Sequence, residues 1–207
     1  MKNGGIAVKC NDINDLQKLK KEAETKLMEY DVQISKMIKP RFKIVSYRGN
    51  LKKEDVETCL RDQNQFINDS EELKINFIKT NKRKRTQTIY GECNATLFKK
   101  FVNKGKVFLQ WERYPIYEDL DILRCFKCQE FFHKSNNCPN ADRCNYCSEN
   151  HTVSECQKSN KKCINCLKAN AKYGLDLSTD HETSDINCPT YQYHLNVLRG
   201  KIDYLGV

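Results

Sequence analysis

The chain is poor in the features that mark membrane proteins, secreted proteins and most enzymes. It has no run of about 18 apolar residues, so no membrane-spanning helix and no membrane partner are expected. No charged-then-apolar leader opens at Met1, so no secretory route is expected. There is no phosphate-binding glycine loop, no HExxH, and no His-x-Glu paired with a Cys-x-x-Cys in deaminase order. Neither catalysis nor a small-molecule substrate is therefore expected. Apolar residues make up 39% of the 207, charged ones 30%, and the mean hydropathy is -0.77. These values predict modest cores beneath much solvated surface. The expected location is cytoplasmic or nuclear, where thiols stay reduced, so twelve cysteines argue for metal or redox chemistry over a disulfide framework.

What is abundant is cysteine in clusters. Nine of the twelve cysteines and three of the four histidines fall between Cys125 and Cys188. The first set is Cys125, Cys128, His133 and Cys138; the second is Cys144, Cys147, His151 and Cys156, its histidine gap shorter by one. The third opens with Cys163 and Cys166, but its histidine, His181, and last cysteine, Cys188, lie across gaps of fourteen and six residues. Zinc accounts for the pattern, because a tetrahedral ion takes four soft or borderline ligands and a Cys-x-x-Cys turn delivers two of them. Four protein ligands leave no open position for an activated water, so such zinc is structural. Loops of thirteen or fourteen residues cannot bury a core, so zinc is expected to fold them.

CFKCQEFFH, CNYCSENH, and CINC followed by DHETSDINCPTY resemble the three successive CCHC zinc knuckles of gag-like proteins encoded by the first open reading frame of insect non-LTR retrotransposons. The resemblance implies binding of element RNA and self-association in a ribonucleoprotein particle. The family usually keeps glycine before the first histidine and after the second Cys-x-x-Cys, where this chain has Phe132 and Ser148, and lacks the insert at residues 167–180. A positive φ at Phe132 would be resisted by its side chain.

Single-stranded RNA or DNA is held by stacking on aromatic faces and by cations along phosphates. Phe126 and Tyr146 are the expected stacking residues, with Ile164 read as their counterpart in the third loop, and Arg124, Lys127, Lys134, Arg143, Lys161 and Lys162 are the expected cations. Packing into a small core is the competing reading for Phe126, Phe131, Phe132 and Tyr146. Residues 121–207 carry eleven basic and ten acidic side chains, only +1, and each Cys3His zinc site adds further negative charge. Residues 41–120 carry seventeen basic and eleven acidic, +6. Long-range attraction should come from there. The alternative function is a protein-interaction module whose zinc only supports a docking surface.

The expected fold class is α+β. Residues 41–120 read as strand RFKIVSY, helix KKEDVETCLRDQNQF, strand ELKINFIKT with Leu73, Ile75 and Phe77 on one side, strand TQTIYGEC, helix ATLFKKFVNKG closed by Gly105, and a last strand KVFLQWERY. This is a βαββαβ order, that of RRM and ferredoxin-like domains. The aromatics of an RRM motif are mostly missing, so a scaffold role comes first. NKRKR at 81–85 reads as a turn, a nuclear import signal or a nucleic-acid contact. Residues 1–40 read as the remnant of a preceding RRM-like domain, a helix capped by Asn11 or Asp12 with a strand on either side, or as a helical, coiled-coil-like segment. Met1 would then begin inside a domain, as in a truncated copy. Residues 121–190 hold the knuckles, and 191–207 read as a short helix and tail whose His194 could replace His181.

Overall fold

In the computed structural model, residues 8, 10, 12–29, 31–32 and 37–206 are described. The strands expected around residues 4–10 and 31–38 fall largely outside them. Helix α1, Ile13–Lys26, begins where the Asp12 carboxylate accepts the N–H of Asp15 at 2.9 Å, a side-chain cap. The chain forms two units, residues 1–119 with 201–207, and residues 120–200. No helix among the described residues is long and apolar enough to cross a membrane.

The first unit is a five-stranded antiparallel sheet with two helices packed on it. Its strands are β1 (Arg41–Tyr47), β2 (Leu73–Asn81), β3 (Thr86–Cys93), β4 (Lys106–Leu109) and β5 (Glu112–Glu118), in the order β2-β3-β1-β5-β4. Alternation along β1 sends Phe42 and Ile44 inward and leaves Arg41 and Lys43 on the other face. The inward residues meet Val56 and Leu60 of α2 (Lys53–Gln63), and Leu97, Phe98 and Phe101 of α3 (Ala95–Lys104). Phe42 and Phe101 rings lie 5.0 Å apart. Beneath them β3 needs glycine, because a Cβ at Gly91 would sit 2.5 Å from the Phe42 ring and 2.7 Å from the Lys74 carbonyl. Asn94 caps α3 through its side chain, and Gly105, at φ 64°, ends it.

Two expectations change here. KVFLQWERY is not one strand but the β4–β5 hairpin, turned at Gln110 with φ 59°. The Tyr47 hydroxyl donates to the Gln110 side chain at 2.6 Å, and buried Asn64 donates to the Phe108 carbonyl at 2.8 Å while accepting the Phe108 N–H at 2.9 Å. Asn64 thus satisfies an edge strand that would otherwise be open. The expected four strands become five. The second change is a bulge in β2: Ile75 pairs with Gly91, but Phe77 pairs with Tyr90. One extra residue reverses the alternation, so Phe77 leaves the core side and becomes 54% exposed.

Residues 201–206 return to this unit. Ile202 bridges Ile38, the Tyr204 ring lies 5.5 Å from Phe98, and the Tyr204 hydroxyl bonds Glu118. The residues expected as a tail thus divide between α5 (Pro189–Arg199) of the second unit and this return.

Candidate metal centres

The second unit is built from three copies of one loop. In each of the first two, the residue after the Cys-x-x-Cys turns back on itself in the left-handed region, Gln129 at φ 65° and Ser148 at φ 66°. Their N–H groups bond the carbonyls of Cys125 and Cys144, both at 2.9 Å. The first cysteine's own N–H then meets the returning strand: Cys125 bonds Glu130, Cys144 bonds Glu149, and Cys163 bonds Thr179. Just before the fourth ligand a tight turn recurs, with the N–H of Cys138, Cys156 and Cys188 each reaching the carbonyl three residues back at 3.2 Å.

The third loop shows why its histidine is so distant. After Cys166 the chain continues as helix α4 (Ile164–Tyr173), capped by Gly174 at φ 64°, and returns with the Asn170 side chain clamped to both backbone groups of Leu177. Thr179 then stands where Glu149 stands in the second loop. His151 donates its N–H to Glu149, and His181 to Thr179. The insert is therefore an excursion that leaves the ligand frame intact. His194 lies elsewhere, edge-on to Phe131 and Phe132 at 5.7 and 4.8 Å, and its burial pushes the imidazole pKa down.

Each four-residue set converges, with its ligand atoms within 4.8 Å of one another. Zn–S bonds of about 2.3 Å and Zn–N bonds of about 2.0 Å give a tetrahedron with S···S edges of about 3.8 Å and S···N edges of about 3.5 Å. The Cys147–Cys156 and Cys163–Cys188 sulfurs are 3.7 Å apart, and those of Cys166 and Cys188 are 3.4 Å apart. Cysteine to histidine Nε2 distances are 3.2, 3.1 and 3.5 Å in the three sets. These edges suit an ion at the centre and are far too long for disulfides. The other ring nitrogens, Nδ1 of His133 and of His151, face the carbonyls of Phe131 and Thr152 at 3.2 and 2.7 Å, which leaves Nε2 free to ligate.

The first cysteine of each turn is prepared for ionisation. Burial opposes it at Cys125, but the N–H groups of Cys128 and Lys127 and the Ser135 hydroxyl outweigh burial and bring the thiol down to about 6. Cys144 is lowered in the same way by N–H groups of Cys147 and Tyr146. Burial pushes Cys128 and Cys147 up to about 11. The first cysteine is thus the easiest of each set to ionise, and a dication would draw off the remaining protons. The three clusters thus fit zinc, by ligand type and by geometry.

The three loops are locked together, and the lock repeats. Cys125, Cys144 and Cys163 are spaced by 19 residues, a period that a search for internal repeats in the sequence would have found. At that same period Arg143 N–H bonds the Lys127 carbonyl and Lys162 N–H bonds the Tyr146 carbonyl, both at 2.8 Å. Gln129 Nε2 donates to the Arg143 carbonyl at 3.2 Å, and Ser148 Oγ to the Lys162 carbonyl at 2.5 Å. The third loop also reaches the first and second: buried Asn165 donates to Gln129 at 3.0 Å, Lys168 pairs with Glu130 at 2.6 Å, and Thr183 N–H bonds the Asn145 carbonyl at 2.9 Å.

This register separates the expected stacking residues. Phe126 and Ile164 hold the first position between their cysteines, with Asn145 between them in the second loop, whereas Tyr146 holds the second position, alongside Lys127 and Asn165. Phe126 is 78% exposed and Ile164 is buried. Tyr146 is half-buried, its hydroxyl donating to Ser159 at 3.1 Å and Lys161 lying 5.8 Å from its ring centre. Among the expected cations, Arg124 lies 5.7 Å from the Phe126 ring centre, Lys127 is half-buried, and Lys161 pairs with Glu182 at 3.2 Å. Arg143 donates to the Ser148 carbonyl at 2.8 Å, and Lys162 contributes both backbone groups to the lock.

Phe132 does adopt the conformation that glycine would favour, φ 72°, with its N–H on the Leu123 carbonyl at 2.7 Å and its ring 64% exposed. A left-handed non-glycine residue costs about 1–2 kcal/mol, and the edge contact with His194 returns about 0.5–1.5 kcal/mol. Phe132→Gly should therefore leave the zinc-loaded thermal midpoint nearly unchanged, while Phe132→Val, β-branched and without the ring, should lower it. A larger loss for glycine than for valine would contradict this account.

No protein-family model, curated protein or solved structure matches the chain.

Proposed function

We propose that this protein binds single-stranded nucleic acid, RNA first, in a zinc-dependent manner, as a gag-like component of a retrotransposon ribonucleoprotein. The observation that carries the reading is Phe126, a largely exposed ring on the turn between the candidate ligands Cys125 and Cys128, backed by the Arg124 guanidinium. A ring held so offers a base its face at little entropic cost, and aromatic stacking of this kind is worth about 1–3 kcal/mol per base. Arg124, Lys127, Lys161 and Lys162 supply local cations, while Arg143 acts by bracing the second loop. Tyr146 contributes a half-covered face. The zinc holds the loops in shape and has no catalytic part, and copies of the protein assemble along RNA in the cytoplasm or nucleus.

The sheet unit fits the same reading as an RRM-like domain. With β4 set aside, the strands run β2-β3-β1-β5, and α2 and α3 follow β1 and β3, the arrangement a split βαβ fold requires.

Titrating a fluorescent oligouridylate with the zinc-loaded protein at several salt concentrations tests the reading. Phe126→Ala should weaken binding about 5- to 100-fold with the zinc content unchanged, and the salt slope of the zinc-dependent share should be shallow because few phosphates are contacted. No zinc-dependent binding even at low salt would leave the protein-interaction module as the better reading.

A further inference from the structure

The unpaired charge of the sheet unit is gathered at one end. Tyr47 closes β1 opposite Gln87, at the foot of the β2–β3 turn, and its hydroxyl bonds Gln110 in the β4–β5 turn. Both hairpin turns and the loop that leaves β1 therefore emerge together. The first turn carries Lys82, Arg83, Lys84 and Arg85, the loop carries Arg48 and Lys52, and Arg113 follows the second turn. These side chains are all exposed, and none is ion-paired among the described residues. At the other end the charges cancel in pairs: Lys39 meets Glu72 at 2.5 Å, Lys74 meets Glu92 at 3.6 Å, and Lys43 meets Asp119 at 3.9 Å. The carboxylates nearest the basic end along the chain are otherwise engaged. Glu112 accepts the Tyr114 hydroxyl at 3.0 Å, and Glu54 and Asp55 sit in the first turn of α2, where the helix dipole favours them.

Trp111 stands in the same place. It is the one tryptophan of the chain and is 96% exposed, at the tip of the β4–β5 hairpin. A ring of this kind covers about 150–250 Å² when it is buried. The fold fixes the tip, because the Tyr47 hydroxyl holds Gln110 beside it at φ 59°. Gly49 leaves room for that bond, since a Cβ there would strike the Tyr47 ring and lie 2.7 Å from Gln110 Oε1. Across the hairpin the Arg113 guanidinium lies 5.2 Å from the centre of the half-exposed Phe108 ring. Tryptophan and arginine are the side chains that most often dominate contacts between proteins, and surrounding cations speed the approach of an acidic partner. Cations crowded without counter-charges also repel one another, a cost that such a partner removes.

We infer that this end of the sheet is a docking site for an acidic protein segment, whose carboxylates pair with the exposed lysines and arginines and whose apolar side chains receive the Trp111 ring. One fully exposed indole ringed by cations has the composition of a protein hot spot, whereas a strand of bases gains from a series of stacked rings. The site stands apart from the nucleic-acid reading, and no metal cluster lies in its unit among the described residues.

The single tryptophan makes the test direct. Its emission, excited beyond the tyrosine band, is followed in the full zinc-loaded chain as four probes are added separately: a random copolymer of glutamate and tyrosine, polyglutamate, an oligouridylate, and phosphatidylserine vesicles. The copolymer should shift the emission to the blue and bind about tenfold or more tighter than polyglutamate, because it alone of the two offers rings to the indole. Trp111→Ala, read by the anisotropy of labelled copolymer, should weaken binding about tenfold or more, with the circular dichroism and zinc content unchanged. Replacing residues 82–85 by glutamine should slow association and flatten its salt dependence. No blue shift with any probe would overturn the inference, as would equal affinity for copolymer and polyglutamate with Trp111→Ala without effect. Tighter binding of vesicles would overturn it in favour of a membrane surface. A blue shift with oligouridylate larger than that with copolymer, and kept in Phe126→Ala, would overturn it in favour of nucleic acid. Failure of the knuckle reading would show separately, as oligouridylate binding that Phe126→Ala leaves unchanged while the copolymer still moves the Trp111 emission.

Discussion

Removing the metal from the full chain is expected to unfold residues 120–200 and leave the five-stranded sheet folded. The two units are held by different means. The sheet buries Phe42, Ile44, Tyr47, Leu60, Ile75, Ile89, Leu97 and Phe101 in one apolar core. The buried cluster of the knuckle unit is Cys163, Cys166 and Cys188, with only Leu177 and Tyr191 packed against it. Three thiols in place of an apolar core give little hydrophobic stabilisation, so the fold is expected to rest on metal–ligand bonds, and a structural zinc in each set would contribute about 10–16 kcal/mol. Hydrogen exchange read by mass spectrometry checks this directly. After chelation the amides of Gln129, Ser148, Arg143 and Lys162, all bonded in the zinc-ready fold, should exchange at unprotected rates, while β1 and β3 keep their protection. Persistent protection around Gln129 and Ser148 without metal would mean that the loops hold themselves, and the structural role assigned to the ion would be wrong.

The ligand sets were legible in the sequence because ligand chemistry is local: Cys-x-x-Cys places two sulfurs on one turn whatever surrounds it. Even the irregular third set was readable, since Cys188 and His181 lie close in sequence, although only the structure shows that α4 is looped out between two positions the other loops also use. What the sequence hid were changes of register. Leu73, Ile75 and Phe77 alternate as a buried strand should, and nothing in those letters announces the extra residue that turns Phe77 outward. KVFLQWERY lacks the Asn-Gly or Asp-Gly that signals a two-residue hairpin. Its turn is made by Gln110 in a conformation the surrounding contacts impose, chiefly those of Tyr47 and Asn64. Phe126 and Tyr146 looked equivalent because both are aromatic residues between paired cysteines. One position of offset separates a ring open to solvent from one whose hydroxyl is tied to Ser159.

The same 19-residue lock makes the middle knuckle the one whose loss should spread. Its residues serve both neighbours: Arg143 receives Gln129 and bonds Lys127, Tyr146 and Ser148 hold Lys162, and Asn145 receives Thr183. Cys147→Ala removes one sulfur ligand from the central set and with it the ordering of all these partners. Each broken hydrogen bond costs about 1 kcal/mol, and two or more on each side would lower metal affinity at the first and third sites about tenfold or more, since 1.4 kcal/mol is tenfold. Under a chelator concentration that leaves the wild-type chain with all three of its sets filled, Cys147→Ala should retain fewer than two zinc ions per chain by elemental analysis. Ser148→Ala, which keeps every ligand, should show a smaller loss confined to the third site. Beads on a string would behave otherwise: two ions retained with unchanged affinity after Cys147→Ala would show that the hydrogen bonds between loops carry no coupling. Where coupling holds, the three loops present one surface of fixed geometry, and a nucleic-acid strand bound at Phe126 as proposed would meet the second and third loops in a register set by the protein.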